Sequence, residues 1–344
     1  MGQSNYQGAL QRKLNSGFHA ASTAGEVISG IDLTGKTAIV TGGNAGIGLE
    51  TTRVLAAAGA TVIVPARDVE KARRNLAGIP NVELGEIDFM DPDSIDAFAA
   101  AFLASGRPLH LLINNAGIMW VPLRRDSRGI ESQLTTNYLG AFHLTARLWP
   151  ALVRARGARV INVSSLGHQR APFDFEDPNF LHRAYETLQA YGQSKTASNL
   201  FALELDHFGK AFGVRSYSLH PGSIHGTELG REASLELFQQ MGFMDAEGNL
   251  LPEVVAALKT VPQGAATTIW CATSPLLDHI GGVYCEDADV AELSLEGNAG
   301  ETQRGVKLYS LDETNAKKLW KWSEEITGIS FGEERNAEVA QSQL

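Results

Sequence analysis

Hydrophobic residues along the 344-residue chain cluster in short continuous runs, separated by longer segments in which apolar and polar positions mix. The β-rich runs lie at 37–41, 61–66, 82–87, 109–114, 159–164, 214–219 and 282–285. Between them are helix-length stretches rich in Ala and Leu, such as 48–58 and 95–103. A strand that is apolar throughout, rather than at alternate positions, is one buried on both faces. Its alternation with helices predicts a parallel sheet with helices on both sides. Asp91 and Pro92 fit the N-cap and first residue of the third crossover helix. The pattern predicts one α/β domain over 34–330, a doubly wound (Rossmann) parallel sheet of seven strands.

Two segments interrupt the rhythm. Residues 166–190 insert a Pro- and Phe-containing loop after the fifth strand, and 223–261 make a long excursion after the sixth. Long insertions at strand ends read as binding lids; a surface excursion with its own small core is the alternative. They are expected to meet over the bound ligand, with Phe173, Phe175 and Phe180 facing Leu235, Phe238, Met241 and Phe243. Residues 1–33 read as a surface arm with one short helix, Ser22 and Glu26 near its start. Near the other end, 315–327 places Ala316, Leu319, Trp320, Ser323 and Ile326 on one stripe, as in a docked terminal helix. The tail over 331–344 is polar and expected to be loose.

Charge narrows the partners. With 39 acidic and 29 basic residues the formal charge is −10, which argues against a nucleic-acid backbone. No apolar run approaches the ~20 residues of a membrane span. The N-terminus lacks a signal-peptide pattern, and Tyr6 spoils a myristoylation motif. The expected setting is cytoplasmic, with no membrane partner. Cys271 and Cys285 read as reduced, buried thiols. Leu200, Phe201, Leu203, Leu205 and Phe208 offer more apolar surface than one sheet contact needs. Either a homo-oligomer or the chain's own insertion and tail covers it.

The chemistry-bearing residues sit at strand ends. Thr41-Gly-Gly-Asn-Ala-Gly-Ile-Gly48 joins the first strand to the first helix. Glycines there allow a tight turn and a close approach of backbone to a pyrophosphate on the helix N-terminus. Further on, Tyr191 and Lys195 are four apart on a predicted helix, about 5–6 Å between Cβ atoms. An ammonium so placed favours the ionised phenol and is expected to lower its pKa, enabling proton transfer near neutral pH.

Together these motifs resemble the short-chain dehydrogenase/reductase family over almost the whole chain. Asn114-Asn115-Ala116-Gly117 ends the fourth strand as in that family; Asn137, Ser165, Tyr191 and Lys195 match its catalytic tetrad. Pro221-Gly222 with Thr227 matches the segment that touches the nicotinamide. Gly46-Ile47-Gly48 is of the compact type. The spacing of Ser165 and Tyr191, 191 − 165 = 26, is similar to the retinol-dehydrogenase-like branch, as are 22–24 and the Leu319-Trp320 segment. Members of that branch often carry a membrane anchor; with none recognised here, retinoid specificity and membrane residence are not carried over.

The resemblance implies that Tyr191 donates or takes the substrate oxygen's proton and Ser165 hydrogen-bonds that oxygen. Lys195 holds the nicotinamide ribose, and Asn137 anchors a water on the proton path. Implied cofactor contacts are Gly42, Asn44, Gly46, Ile47, Gly48, Asn115, Ala116, Gly117, Tyr191, Lys195, Pro221, Gly222, Ile224 and Thr227. Asp88 resembles the adenine contact, or else turns the loop toward Asp91. Where NAD users place an acidic residue, the second strand ends in Ala66 and Arg67, which suits the 2′-phosphate of NADP. A solvated Arg67 beside Asp68 is the alternative. Ser164 is expected to bond locally. His168, His182, His220 and His225 invite a metal reading, but no ligand set with zinc spacing accompanies them, so no metal is expected.

The expected function is NADP-dependent interconversion of an alcohol and a carbonyl on an uncharged, largely apolar small molecule. A C=C reductase on the same scaffold and a non-catalytic NADP-binding sensor are the alternatives.

Overall fold

The computed structural model describes residues 3–224, 227–294 and 304–332. All seven expected strands form: β1 Thr37–Val40, β2 Thr61–Ala66, β3 Val82–Glu86, β4 Leu111–Asn114, β5 Ala158–Val163, β6 Val214–His220 and β7 Tyr284–Glu286. They pair in parallel in the order β3-β2-β1-β4-β5-β6-β7. Alternate side chains of one strand enter different cores, which is why the runs are continuously apolar. Ile39 joins Phe98, Leu112 and Phe142 on one face. Ala38 and Val40 join Ile113, Ile269 and Trp270 on the other. Chain order reverses between β1 and β4, opening the crevice at their carboxyl ends where ligands bind in such sheets.

The sheet has one strand more than expected. Asp289–Val290 forms β8, antiparallel to β7. Asp287 and Ala288 turn the chain with φ of +53° and +56°, the left-handed pair of a tight hairpin.

Two local expectations shift. The first helix, Ala24–Val27, is capped by Thr23 rather than Ser22, because a capping box needs its Glu three residues on, and that residue is Glu26. The hydroxyl of Ser22 instead accepts from His19 N. The N-terminal arm is also pinned more deeply than a surface arm would be. Asn5 and Gln11 are buried; Asn5 Nδ2 donates to Gly282 O at 2.9 Å and Gln11 Nε2 to Tyr284 O at 2.6 Å.

At the other end, helix Glu313–Thr327 docks with Ala316, Leu319 and Ser323 buried. Its Trp320 packs 6.0 Å from Phe201 and 5.6 Å from Phe208, and stacks on Phe331. The apolar face of the long helix Thr187–Gly209 is therefore covered from within the chain. The expected polar tail beyond Gly332 lies outside the described residues, as does His225. Among the described residues, no helix is long and apolar enough to cross a membrane. Cys271 and Cys285 are both free and buried.

Candidate active site

The crevice gathers residues from several strand ends. Helix Gly46–Ala57 begins directly after the glycine loop, and its N-cap Ala45 offers no side-chain acceptor to the first-turn N–H groups. Those donors suit an anion. Gly48 is required by contact: a Cβ there would lie 2.2 Å from Gly42 O and 2.5 Å from Asn115 Nδ2. Asn115 fastens the loop, donating through Nδ2 to Thr41 O at 2.9 Å. The Thr41 hydroxyl accepts from the backbone of both Asn115 and Ala116, each at 3.0 Å. The methyl of Thr227 lies 3.4 Å from where a Gly46 Cβ would be, so the second excursion begins against the glycine loop. Ile47 and Ile224 meet over Gly264, and Gly222, which follows Pro221, is backed by the stem of Lys259. Asn44 is tied through its carbonyl to Asn75.

Deeper in, Tyr191 and Lys195 share one face of helix Thr187–Gly209, as their spacing predicts, with Lys195 Nζ 5.6 Å from the ring centre. Lys195 Nζ donates to Val163 O at 2.8 Å, at the end of β5. A Cβ at Gly117 would lie 3.6 Å from that same Nζ and 3.2 Å from Asn137 Oδ1, so the loop after β4, the end of β5, the Asn137 turn and the Tyr191 helix converge here. Asn137 sits in a π-helical turn, Thr135–Leu139, a distortion frequent at functional sites. Its side-chain amide is fully engaged: Oδ1 accepts from Ile118 N, and Nδ2 donates to Ile118 O and Ser194 Oγ. Ser165 Oγ accepts from Gly167 N at 3.0 Å. Its neighbour Ser164 does not bond locally; it reaches across to Lys195 O at 3.0 Å and ties the strand end to the helix.

Electrostatics depart from the expected pattern. Burial pushes the Tyr191 phenol up to about 12, against a hydrogen bond with Ser165 that acts the other way. Burial also brings Lys195 down to about 8. The lowered phenol inferred from spacing is absent because Tyr191 is only 2 % exposed and the ammonium is hooked to a carbonyl.

At the end of β2, Arg67 is exposed and makes no hydrogen bond or ion pair among the described residues. Asp68 is occupied in capping helix Val69–Asn75, accepting from Lys71 N at 2.8 Å, so it does not pair with Arg67. Asp88 turns its own loop, with Oδ1 accepting from Met90 N at 2.9 Å.

The lid contacts differ from those expected. Phe173 packs on Phe175 and Trp322, and Phe180 on Tyr185 and beneath Arg183. These rings are drawn under the C-terminal helix and into their own loop, not toward the second excursion. Arg183 is committed to Asp174 and Asp177. Leu235 is 47 % exposed. The second excursion instead meets the loop after β4. Phe238 sets its ring edge-on to Trp120 at 4.9 Å, Glu232 pairs with Arg124, and a Cβ at Gly230 would strike the indole at 2.7 Å.

Trp120 was not singled out by sequence pattern. It holds φ at +58°, a left-handed conformation rare for a bulky residue, and its buried Nε1 has no partner among the described residues. Such strain costs ~1–3 kcal/mol and clusters at functional sites. Nothing in the local sequence marks it; only the packing does. Also among the described residues, no group of three or more His, Cys, Asp or Glu is placed to hold a metal.

The glycine cradle, the uncapped helix start, the unpaired Arg67 and the buried Lys195 fit a nicotinamide dinucleotide. Residues 36–237 match the family model for short chain dehydrogenase. A probable oxidoreductase of Streptomyces lividans is 42 % identical over 85 % of this chain and 97 % of its own length. Retinol dehydrogenase 11 of Mus musculus is 35 % identical over 89 % of this chain and 91 % of its own. A solved structure of an uncharacterized protein from Mycobacterium paratuberculosis aligns with a TM-score of 0.67 at 30 % identity, over 91 % of this chain and 98 % of that one.

Proposed function

This chain belongs to the short-chain dehydrogenase family, in its retinol-dehydrogenase-like branch, and from that premise we propose that it interconverts an alcohol and a carbonyl using NADP. The observation that carries the reading is the meeting of the buried Tyr191 and Lys195 with the half-buried Ser165 beside the glycine cradle. Bound NADP would supply or accept the hydride. The chain's own residues then handle the oxygen and its proton. Ser165 would hydrogen-bond the substrate oxygen, and Tyr191, which keeps its proton at neutral pH, would donate it during reduction. Lys195, between Val163 O and Gly117, would hold the ribose. Asn137 has its side chain spent on Ile118 and Ser194, so it would serve through its backbone in ordering the proton path.

Cofactor choice rests on Ala66 and Arg67. With Asp68 used as a cap, the free guanidinium is available to a 2′-phosphate, and Ala66 offers no carboxylate to a ribose hydroxyl. A charge-assisted hydrogen bond contributes ~1.5–3 kcal/mol. Arg67→Ala is expected to weaken NADPH binding by roughly 10- to 100-fold, with NADH nearly unchanged. Ala66→Asp should shift preference toward NADH. Fluorescence titration with each cofactor checks both, and a wild-type preference for NADH would contradict the assignment.

For the substrate, we infer an uncharged, largely apolar molecule bound against Trp120 and Phe238. The excursion has no Arg or Lys between Arg231 and Lys259 and carries Glu232, Glu236, Asp245 and Glu247, a poor clamp for an anion. Burying a large apolar side chain contributes ~1.5–3 kcal/mol. Trp120→Ala should therefore raise KM about tenfold or more while lowering kcat less, since such contacts bind ground and transition state alike. A steady-state comparison of apolar ketones and aldehydes with pyruvate checks this. Faster turnover of the small anion would overturn it.

A further inference from the structure

We propose that His168 and His220 are positioning residues that hold, from both sides, the single peptide unit joining Ser165 to Leu166. This rests on the reading above, in which Ser165 binds the substrate oxygen. The carbonyl of that peptide, Ser165 O, lies 2.7 Å from His168 Nδ1. Its N–H, on Leu166, donates to His220 Nδ1 at 3.1 Å. The two imidazoles come from different places, one just past Ser165 and one at the end of β6.

Their tautomers follow from their partners. His168 Nε2 accepts from Lys307 N at 3.2 Å, so its proton is on Nδ1 and points at the Ser165 carbonyl. His220 Nδ1 accepts from an N–H, so its proton is on Nε2. Both functions need neutral rings. Burial holds His168 at about 4 and His220 at about 3, with Lys307 and Lys259 adding to the effect. His168 is itself fixed: its carbonyl accepts from Thr196 Oγ1 at 3.1 Å and Tyr309 Oη at 2.7 Å, and its ring lies 5.0 Å from that of Tyr284. Thr196 follows Lys195 on the Tyr191 helix, so serine, tyrosine and lysine are referred to one frame.

Clamping both ends of a peptide plane fixes the ψ angle of Ser165 at 157°, and the Gly167 N–H then holds its hydroxyl. A misplacement of about 1 Å at a reacting group can cost 100-fold in rate. The described hydrogen bonds of the two imidazole rings go to Leu166 N, Ser165 O and Lys307 N rather than to the glycine loop, so loosening Ser165 should leave cofactor affinity alone.

The test is a double-mutant cycle, measured as NADPH-dependent reduction of a panel of apolar enals and enones beginning with cinnamaldehyde. His220→Leu should lower kcat by about 10- to 100-fold with the Kd for NADPH changed less than about twofold. His220→Asn, whose amide oxygen can take the place of Nδ1, should recover most of the loss. In a Ser165→Ala background, His220→Leu should cost almost nothing further, because there is no hydroxyl left to aim. Equal losses in both backgrounds, or no rescue by Asn, would overturn the positioning role while leaving the function of Ser165 intact. If Ser165→Ala alone left kcat unchanged, the reading of Ser165 and this inference would fall together. Long-range ¹H–¹⁵N spectra of the wild-type protein give an independent check that needs no turnover. They should show His168 as the Nδ1–H tautomer and His220 as the Nε2–H tautomer at pH 6; an imidazolium or the opposite tautomer at either ring would overturn the proposal.

Discussion

Tyr191→Phe is expected to lower turnover by at least about 100-fold, the low end for a lost acid–base group, while NADPH binds as before. Phenylalanine fills the same space, so packing against Gly167, which lies within van der Waals reach of the ring, is kept. What is lost is one hydroxyl in a site where Tyr191 is 2 % exposed, leaving little room for water to replace it. The direction of its pKa refines the expectation. A phenol raised to about 12 holds its proton across neutral and mildly alkaline pH, so the cofactor-free protein presents the acid that the proposed carbonyl reduction requires. In an ultraviolet titration, the difference between wild type and Tyr191→Phe should show no phenolate from this residue below about pH 10, the reference value for Tyr. Phenolate absorbance near pH 8 would overturn the raised pKa, and near-normal turnover of Tyr191→Phe would remove Tyr191 from its role.

Gly48→Ala should have the next largest effect, on binding rather than chemistry. The added Cβ would meet Gly42 O at 2.2 Å, Gly42 C at 2.9 Å and Asn115 Nδ2 at 2.5 Å. Two of those atoms are backbone, and the third is the amide that ties the loop to Thr41, so no flexible side chain can swing aside. Overpacking of this kind costs ~1–3 kcal/mol. Because the strain falls on the loop itself, NADPH affinity should drop about 10- to 100-fold or more, with a lowered Tm. Gly25→Ala is the control. Nothing lies within 4 Å of its added Cβ, and both Tm and affinity should stay within error. Wild-type NADPH affinity in Gly48→Ala would show that the cradle does not serve the cofactor.

The strands were legible because burial on both faces leaves only one kind of pattern, the continuous apolar run, as Ile39 and its neighbours Ala38 and Val40 show. Asp91 with Pro92 was legible because capping is local chemistry, and the helix does start there. The cap at Thr23 was equally local, and the distance to Glu26 would have given it. The residues of the site could be read as motifs, and the structure brings Asn137, Ser165, Tyr191 and Lys195 into one crevice. What the chain did not disclose depends on partners far apart in sequence. Phe173 turns to Trp322 rather than to the excursion because a distant helix offers it an apolar surface. β8 was hidden because its turn uses Asp287 and Ala288 where glycine or asparagine would signal a hairpin. Trp120 in a left-handed conformation follows no propensity at all. The direction of the Tyr191 shift was missed because spacing places Lys195 but is silent on burial, and burial wins.

The most direct test of the whole account follows a hydride. The protein should be given NADPH deuterated at nicotinamide C4, and a conjugated apolar aldehyde that offers both a C=O and a C=C bond, with cinnamaldehyde as the first choice and other enals and enones beside it. Product isolated by chromatography should be the unsaturated alcohol, carrying deuterium on the carbinol carbon and a solvent-derived proton on oxygen, and Tyr191→Phe should form it at least about 100-fold more slowly. Deuterium on the carbon β to an intact carbonyl would make the protein a C=C reductase, and no transfer to any member of the panel would contradict the proposed reduction.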